Sequence, residues 1–370
     1  MNLSVLQSTA KAMVAPGKGV LAIDESHSTC KKRFEALGVD CNEDTRREYR
    51  ELLVTAPGIE QYLGGMILFD ETLRQSTRDG RKFVDVLKEK GIQPGIKVDT
   101  GAKDLALHPG EQVTEGLDGL RERLVEYRGL GATFAKWRAV INISDALYPQ
   151  GTLHPQGTLH PQGTLYPQGL LPSAACVKAN VHALARYAAL CQEADIVPMV
   201  EPEMMMEGTH SIERCYEVTA QVLKTLFVEL AEQGVALEGT ILKVSMVLAG
   251  KNAAVQSDEK TVAEMTVKCL KENVPDNIAG VVFLSGGQSD AKSTVHLNLM
   301  HQLGTLHPQG TLPWPLSFSY GRGIQQPALE VWAKDRASFV EAQKVLVHRA
   351  HMNGLAAEGK WSEEAEALFT

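Results

Sequence analysis

The chain alternates between short β-rich runs and longer amphipathic stretches along nearly its whole length, and this alternation limits the possible folds more than any single motif does. The β-rich runs lie at 18–24, 65–69, 95–99, 132–138, 196–201, 240–246, 280–285 and 315–320. The amphipathic stretches, which predict helices, lie at 43–56, 77–90, 115–129, 173–194, 211–233, 258–273, 290–303 and 326–351, and the last is long enough for two helices. Such alternation predicts a parallel sheet with right-handed crossovers. Eight units in 370 residues favour a single α/β domain, 1–370, folded as a closed (β/α)8 TIM barrel.

Composition and charge exclude several functional classes. Hydrophobic residues make up 44% of the chain, but no uninterrupted apolar stretch reaches the length of about 18 residues that a membrane span needs. Residues 1–7 lack the basic segment and apolar core of a signal peptide, so we expect a cytoplasmic protein. A net charge of -8 argues against nucleic acid or an anionic membrane as a partner. The six cysteines have neither C-x-x-C nor zinc-type spacing, which predicts reduced thiols and no metal site.

Charged and polar residues recur where the predicted strands end. They are Asp24 in the first strand, Asp99 in the third, Lys136 and Arg138 in the fourth, Glu201 in the fifth, Lys243 in the sixth and Ser285 in the seventh. Because the carboxyl ends of all strands meet at one face of a barrel, and active sites lie there, we expect these side chains to share one site.

Lys243 lies inside the apolar run 241–248, where a charged amine is costly to bury. Burial and nearby positive charge lower the pKa of an amine, and a neutral amine can attack a carbonyl to form a Schiff base. Lys136 supplies a second cation, while Glu201 and Asp24 supply two acids, of which we expect one to be held protonated. The alternatives are a lysine whose stem packs while its head reaches water, and a purely structural ion network.

Two glycine-containing loops predict phosphate binding. Residues 284–289 precede the helix near 290, and residues 318–323 add the guanidinium of Arg322 after the eighth strand. The basic cluster 31–33 is a candidate for a second phosphate, or else a solvated helix face. A substrate with phosphate at both ends fits this layout.

Seven segments resemble, in order and along nearly the whole chain, the signature segments of class I fructose-1,6-bisphosphate aldolase. They are residues 22–26, 95–99, 134–138, 200–203, 241–243, 283–288 and 318–322. The resemblance implies that Lys243 forms the Schiff base, that Glu201 is the main proton-transfer group, and that Asp24, Lys136 and Glu203 complete the catalytic set. It also implies two groups of substrate-binding residues and one further ligand. The phosphate of the dihydroxyacetone end would be bound by Ser285, Gly286, Ser319, Gly321 and Arg322, and the other end by Ser26, Lys32, Arg33 and Lys97. Arg138 would be a further substrate ligand.

The resemblance also implies the reaction and the assembly. The expected activity is the reversible cleavage of fructose 1,6-bisphosphate to dihydroxyacetone phosphate and glyceraldehyde 3-phosphate by a homotetramer that needs no metal or other cofactor. One alternative is a Schiff-base aldolase for another phosphorylated sugar. The other is a barrel that serves as a binding scaffold, with its active site silent.

The chain departs from this family in two places. The hexad Tyr/His-Pro-Gln-Gly-Thr-Leu, with minor variation, fills residues 148–171 and recurs at 307–312, which predicts flexible insertions at 148–171 and about 305–310. His-Pro-Gln is similar to the motif of peptides that bind streptavidin, which makes streptavidin a candidate partner and suggests loops engineered as a binding tag. The alternatives are a natural tandem duplication and some other design purpose. The sequence also ends at 367–370 without a terminal tyrosine tail, from which we expect a slower late proton transfer.

Overall fold

The structure is a computed structural model that describes residues 1–144, 170–306 and 312–367, with only the backbone of 305 and 306. Its centre is a closed barrel of parallel strands in the order β1-β10-β9-β8-β7-β6-β3-β2. The barrel strands are β1 (Gly19–Ile23), β2 (Leu63–Leu68), β3 (Gln93–Lys97), β6 (Phe134–Ile141), β7 (Val197–Met204), β8 (Ile241–Val244), β9 (Gly280–Phe283) and β10 (Leu316–Tyr320). This confirms the predicted (β/α)8 TIM barrel. A separate antiparallel hairpin, β4 (Gly101–Asp104) with β5 (Gln112–Glu115), follows β3 and was not predicted.

Helices surround the barrel. They are α1 (Leu3–Met13), α2 (His27–Glu35), α3 (Glu43–Thr55), α4 (Asp70–Arg74), α5 (Phe83–Glu89), α6 (Leu120–Leu130), α7 (Ala174–Glu193), α8 (Ile212–Glu232), α9 (Glu259–Asn273), α10 (Asp290–Leu306), α11 (Arg322–Lys334), α12 (Phe339–Ala356) and α13 (Glu363–Ala367). The stretch 326–351 is indeed two helices, α11 and α12. Within the described part of the chain, no helix is both long enough and apolar enough to cross a membrane.

Two differences from the predicted helices have local causes. The stretch 77–90 begins to be helical only at Phe83, because Thr77 and Arg81 close a turn in which Gly80 has a φ of +89°. Helix α1 precedes the first strand and so lies outside the alternation. Its N-cap, Asn2, accepts a hydrogen bond from the backbone of Val5.

Alternation along β6 shows how the fold separates core from site. Phe134 points into the barrel and packs in the same cluster as Leu6 of α1. A Cβ on Gly95 would lie 2.2 Å from its ring, so this position has room only for glycine. Trp137 points outward and packs against Tyr187, with ring centroids 5.6 Å apart. Apolar side chains therefore fill the amino-terminal part of the barrel interior, and charged residues remain at its carboxyl end.

Candidate active site

A cavity of about 1440 Å³ opens at the carboxyl ends of the barrel strands. It brings together all the catalytic and substrate-binding residues predicted from the sequence: Asp24, Ser26, Lys32, Arg33, Lys97, Lys136, Arg138, Glu201, Glu203, Lys243, Ser285, Gly286, Ser319, Gly321 and Arg322. These residues come from β3, β6, β7, β8 and β10, from the loops after β1, β9 and β10, and from helices α2 and α11.

Two lysines and two carboxylates form a buried charged chain in this cavity. Lys243 Nζ lies 3.1 Å from Glu201 Oε1, and Lys136 Nζ lies 3.3 Å from Glu201 Oε2. Lys136 Nζ also lies 2.7 Å from Asp24 Oδ2. Lys243 is only 4% exposed, so its amine is not a head group that reaches water. The order Lys243, Glu201, Lys136, Asp24 places one carboxylate between the two amines.

The pKa values of the two carboxyl groups correct one expectation from the sequence. Burial alone would raise the pKa of Asp24, but the nearby ammonium groups, Lys136 foremost, lower it to about 2. Burial would likewise raise the pKa of Glu201, yet Lys136 and Lys243 lower it. The expectation that one of the two acids is held protonated is therefore wrong, because both carboxyls face buried cations. Burial would lower the pKa of Lys136, but Asp24 and Glu201 raise it well above its ordinary value, so this amine is a stable cation.

Arg138 and Lys97 are each held by a carboxylate at the wall of the cavity. Arg138 Nε donates to Glu203 Oε2, two residues beyond Glu201 on the same face of β7. Lys97 Nζ lies 2.6 Å from Asp99 Oδ1, whose partner oxygen accepts from the backbone N–H of Arg138 at 3.3 Å. Asp99 thus fixes two neighbouring strands. The sequence predicted that Asp99 shares the site with the other strand-end residues but gave it no catalytic or binding role, although its spacing of two from Lys97 indicated that the two pair.

The two glycine-containing loops meet. Gly286 and Gly287 have φ values of +55° and +84°, which glycine adopts without strain. A Cβ on Gly287 would lie 3.7 Å from Arg322 Nη2, so the guanidinium of the second loop lies against the first. Helices α10 and α11 begin at these loops with their amino ends at the cavity, and a helix amino terminus attracts anions. The arrangement suits one phosphate group.

The basic cluster 31–33 divides between cavity and solvent. Lys32 and Arg33 line the cavity, whereas Lys31 is exposed and pairs with Glu35 along α2. Ser26, which also lines the cavity, caps α2 by accepting from the backbone N–H of Thr29. Of the three basic residues, only Lys31 does not line the cavity, and Lys32 is exposed although it lines the cavity.

Comparison with known proteins decides the family. The family model described as fructose-bisphosphate aldolase class-I matches residues 5–155 and 166–369. The chain belongs to the class I fructose-bisphosphate aldolase family. A probable class 1 fructose-bisphosphate aldolase of Xanthomonas axonopodis pv. citri is 56% identical over 98% of this chain and 99% of its own length. The fructose-bisphosphate aldolase of Dictyostelium discoideum is 43% identical over 97% of this chain and 93% of its own.

A solved structure agrees with the sequence relatives. The Plasmodium falciparum fructose-bisphosphate aldolase, solved in complex with TRAP and a small-molecule inhibitor, superimposes with a TM-score of 0.87 at 40% identity. The match covers 97% of this chain and 96% of that one. The activity is that of a class I fructose-bisphosphate aldolase, a lyase that acts on phosphorylated sugars, and this confirms the function predicted from the sequence.

No cysteine is among the described residues that line the cavity. All six cysteines lie in the described ranges as free thiols, and five of them are buried. Burial raises the pKa of Cys30 to about 11 and that of Cys176 to about 12, so these thiols are unreactive near neutral pH. Across 1–144, 170–306 and 312–367, no three His, Cys, Asp or Glu side chains cluster as metal ligands would.

Proposed function

We propose that Lys243 forms a Schiff base with the C2 carbonyl of fructose 1,6-bisphosphate, and that this aldolase releases dihydroxyacetone phosphate and glyceraldehyde 3-phosphate. One observation carries the proposal. The amine of Lys243 is buried at the wall of a highly charged cavity, with the Glu201 carboxylate 3.1 Å away to exchange protons with it. A structural ion network would not need an open cavity lined by two further sets of anion-binding residues.

Each step of the reaction needs a proton transfer, and the buried lysines and carboxylates of the cavity can supply it. Lys243 passes a proton to Glu201, its neutral amine adds to C2, and the carbonyl oxygen takes up a proton to give a carbinolamine. Glu201 returns a proton to the C2 hydroxyl, which leaves as water, and the iminium forms. The Glu201 carboxylate then takes the proton of the C4 hydroxyl, the C3–C4 bond breaks, the aldehyde leaves, and the electron pair of that bond remains in an enamine on Lys243. Protonation of C3 and addition of water release the ketone and restore the amine.

Lys136 and Asp24 keep their charges during the proton transfers between Lys243 and Glu201. Lys136 stays cationic between Asp24 and Glu201, so it can stabilise negative oxygen at C2 and C4 as it develops. Asp24, with its pKa lowered to about 2, remains an anion and keeps the ammonium in place.

The two phosphates would bind at the two basic parts of the cavity. We assign the phosphate of the dihydroxyacetone end to the paired glycine loops with Arg322, and the other phosphate to α2 with Lys32 and Arg33. We assign Lys97 and Ser26 to that second end as well, while Arg138 and Glu203 line the wall of the same cavity and would contact the sugar hydroxyls.

The test is a pair of lysine substitutions. Lys243→Met should abolish cleavage of fructose 1,6-bisphosphate. The matched control Lys260→Met removes an exposed lysine that pairs with Glu264 on α9, and it should leave kcat and KM unchanged. Retention of more than a few percent of the activity in Lys243→Met would refute the proposal.

We further propose that residues 148–171 and about 305–310 are insertions that the barrel tolerates. Residues 148–169 and 307–311 lie outside the described residues. Support for the first insertion comes from the family match, which omits 156–165, and from the backbone of Ser144, which donates to Leu171 O at 3.4 Å and so joins the chain on both sides. Deletion of 148–169, which keeps Leu171 and its bond to Ser144, should leave a folded, active aldolase; loss of folding would contradict this.

The remaining assignments concern assembly, compartment and a protein partner. We propose a cytoplasmic homotetramer, in line with the family and with an Arabidopsis thaliana relative named as cytosolic. Light scattering should give about four times the mass of one 40.3 kDa chain, and fractionation should find the protein in the cytosol. The His-Pro-Gln hexads support weak streptavidin binding, which biotin should abolish; binding that survives biotin would contradict this.

A further inference from the structure

A buried carboxylate that the proposed reaction does not use lies at the wall of the cavity, beside the residues assigned to the second phosphate. Glu25 follows Asp24 in the loop after β1, and three side chains from three different helices converge on it. Arg50 Nη2 of α3 lies 2.7 Å from Oε2, while Gln325 Nε2 of α11 donates to Oε1 at 2.6 Å. Arg33 Nη1 of α2 donates to the same Oε1.

Arg50 is the fixed member of this cluster. Its side chain is 3% exposed, and it does not line the cavity. Its Nη2 also lies 3.4 Å from Cys30 Sγ, so α2 and α3 are joined at this point. Arg50 thus anchors Glu25 from the side opposite the substrate, and the pKa of Glu25 is lowered because Arg50 and Arg33 outweigh its burial.

Arg33 is the member that faces the substrate. Its side chain is 22% exposed and lines the cavity. Among the described residues, its bond to Glu25 uses Nη1, which leaves the other donors of the guanidinium for a ligand. A phosphate can therefore bind Arg33 through a pair of hydrogen bonds while Glu25 still holds it.

Gln325 ties this arrangement to the barrel. Besides Glu25, its amide nitrogen donates to Ala22 O of β1 at 2.8 Å, and its amide oxygen accepts from the hydroxyl of Tyr49 at 3.1 Å. The carboxylate of Glu25 is consequently held by a hydrogen-bonded frame and has little freedom to follow Arg33 if the guanidinium shifts.

We propose that Glu25 and Arg50 are positioning residues that orient the Arg33 guanidinium toward the second phosphate, and thereby set the preference for a bisphosphate over a monophosphate. The inference rests on the proposed assignment of Arg33 to that phosphate. Without Arg50, Glu25 loses its charged partner on Oε2 and is held only through Oε1 by Gln325 and Arg33, so its carboxylate can turn and the direction of Arg33 is less well fixed.

The experiment compares two substrates that differ in this phosphate alone. Arg50→Met should lower kcat/KM for fructose 1,6-bisphosphate about tenfold, the usual effect of misplacing one charge-assisted hydrogen bond, and change that for fructose 1-phosphate by less than about twofold. Glu25→Gln should do the same. The control Arg47→Met removes a neighbouring arginine of α3 that pairs with Glu51, and it should leave the substrate ratio unchanged.

Testing Arg50→Met in a protein that already lacks Arg33 separates an effect on the orientation of Arg33 from general structural damage. When Arg33 is already replaced, in Arg33→Met, the further change Arg50→Met should not lower the substrate ratio again. The double variant Glu25→Gln/Arg50→Met removes both buried charges together and provides a folded test protein if a single variant precipitates.

Three outcomes would overturn the inference: an equal loss for both substrates in Arg50→Met, an unchanged ratio in the folded double variant, or a further fall of the ratio in the Arg33→Met background. Failure of the proposed function looks different, because the unsubstituted protein would then not cleave fructose 1,6-bisphosphate, or Lys243→Met would still cleave it.

Discussion

Stability below neutral pH should depend on one buried histidine of α10. His296 is 4% exposed, and its Nδ1 lies 2.6 Å from Gln288 Oε1 in the loop before α10. Burial, which outweighs the opposing charge of Glu259, lowers the pKa of His296 from 6.5 to about 4. The folded protein therefore resists protonating this ring, whereas the unfolded chain accepts the proton.

The sign and size of the effect follow from this difference in pKa. Between pH 6.5 and about 4 the unfolded state binds more protons at this site, so the free energy of unfolding falls as the pH falls through this window. Across the whole window the free energy of unfolding falls by about 3 kcal/mol, and between pH 7 and pH 5 it falls by about 2 kcal/mol.

The assay is urea denaturation at pH 7 and pH 5, at one protein concentration, for the unsubstituted protein and His296→Asn. Asparagine keeps a donor for Gln288 but does not titrate. The substituted protein should lose about 2 kcal/mol less on acidification than the unsubstituted one. The other histidines are common to both proteins and cancel in the comparison. Equal losses in the two proteins would refute the reasoning.

Three further predictions concern proton transfer by Glu201, packing at two glycines and the independence of the reaction from metal. Glu201→Gln should lower kcat by a factor of about 10²–10⁴ without changing the circular dichroism spectrum, and near-normal kcat would rule out Glu201 as the proton-transfer group. Gly64→Ala should destabilise the fold by about 3 kcal/mol, because a Cβ there would lie 2.3 Å from Ala12 O. Gly129→Ala in α6 meets open space and should stabilise the fold by up to about 1 kcal/mol. A thermal melt that ranks the two variants in the opposite order would contradict this. EDTA should leave turnover unchanged, since the iminium withdraws the electrons, and a loss of activity that added metal restores would exclude this mechanism.

The barrel could be predicted from the sequence because its signal is repeated. Each β-rich run is followed by an amphipathic stretch, and errors at single boundaries do not change the count. Helices α1 and α2 and the β4–β5 hairpin do not take part in that repetition. Helix α2 is short and polar, with only Cys30 and Phe34 buried, so its periodicity is weak in the sequence.

The site was predictable for a similar reason, since strand ends of a barrel converge whatever the details of packing. What the sequence could not give is the pairing of charges. Glu25 and Arg50 are far apart in the chain and meet only because α2, α3 and α11 pack together. The protonation of Glu201 likewise depends on distances to two lysines that no spacing in the sequence reveals.

The most direct test of the account is borohydride reduction in the presence of dihydroxyacetone phosphate, followed by mass spectrometry of the peptides. One stable adduct is expected, located on Lys243, and none in Lys243→Met. An unlabelled protein, or a label on Lys136 in place of Lys243, would contradict it.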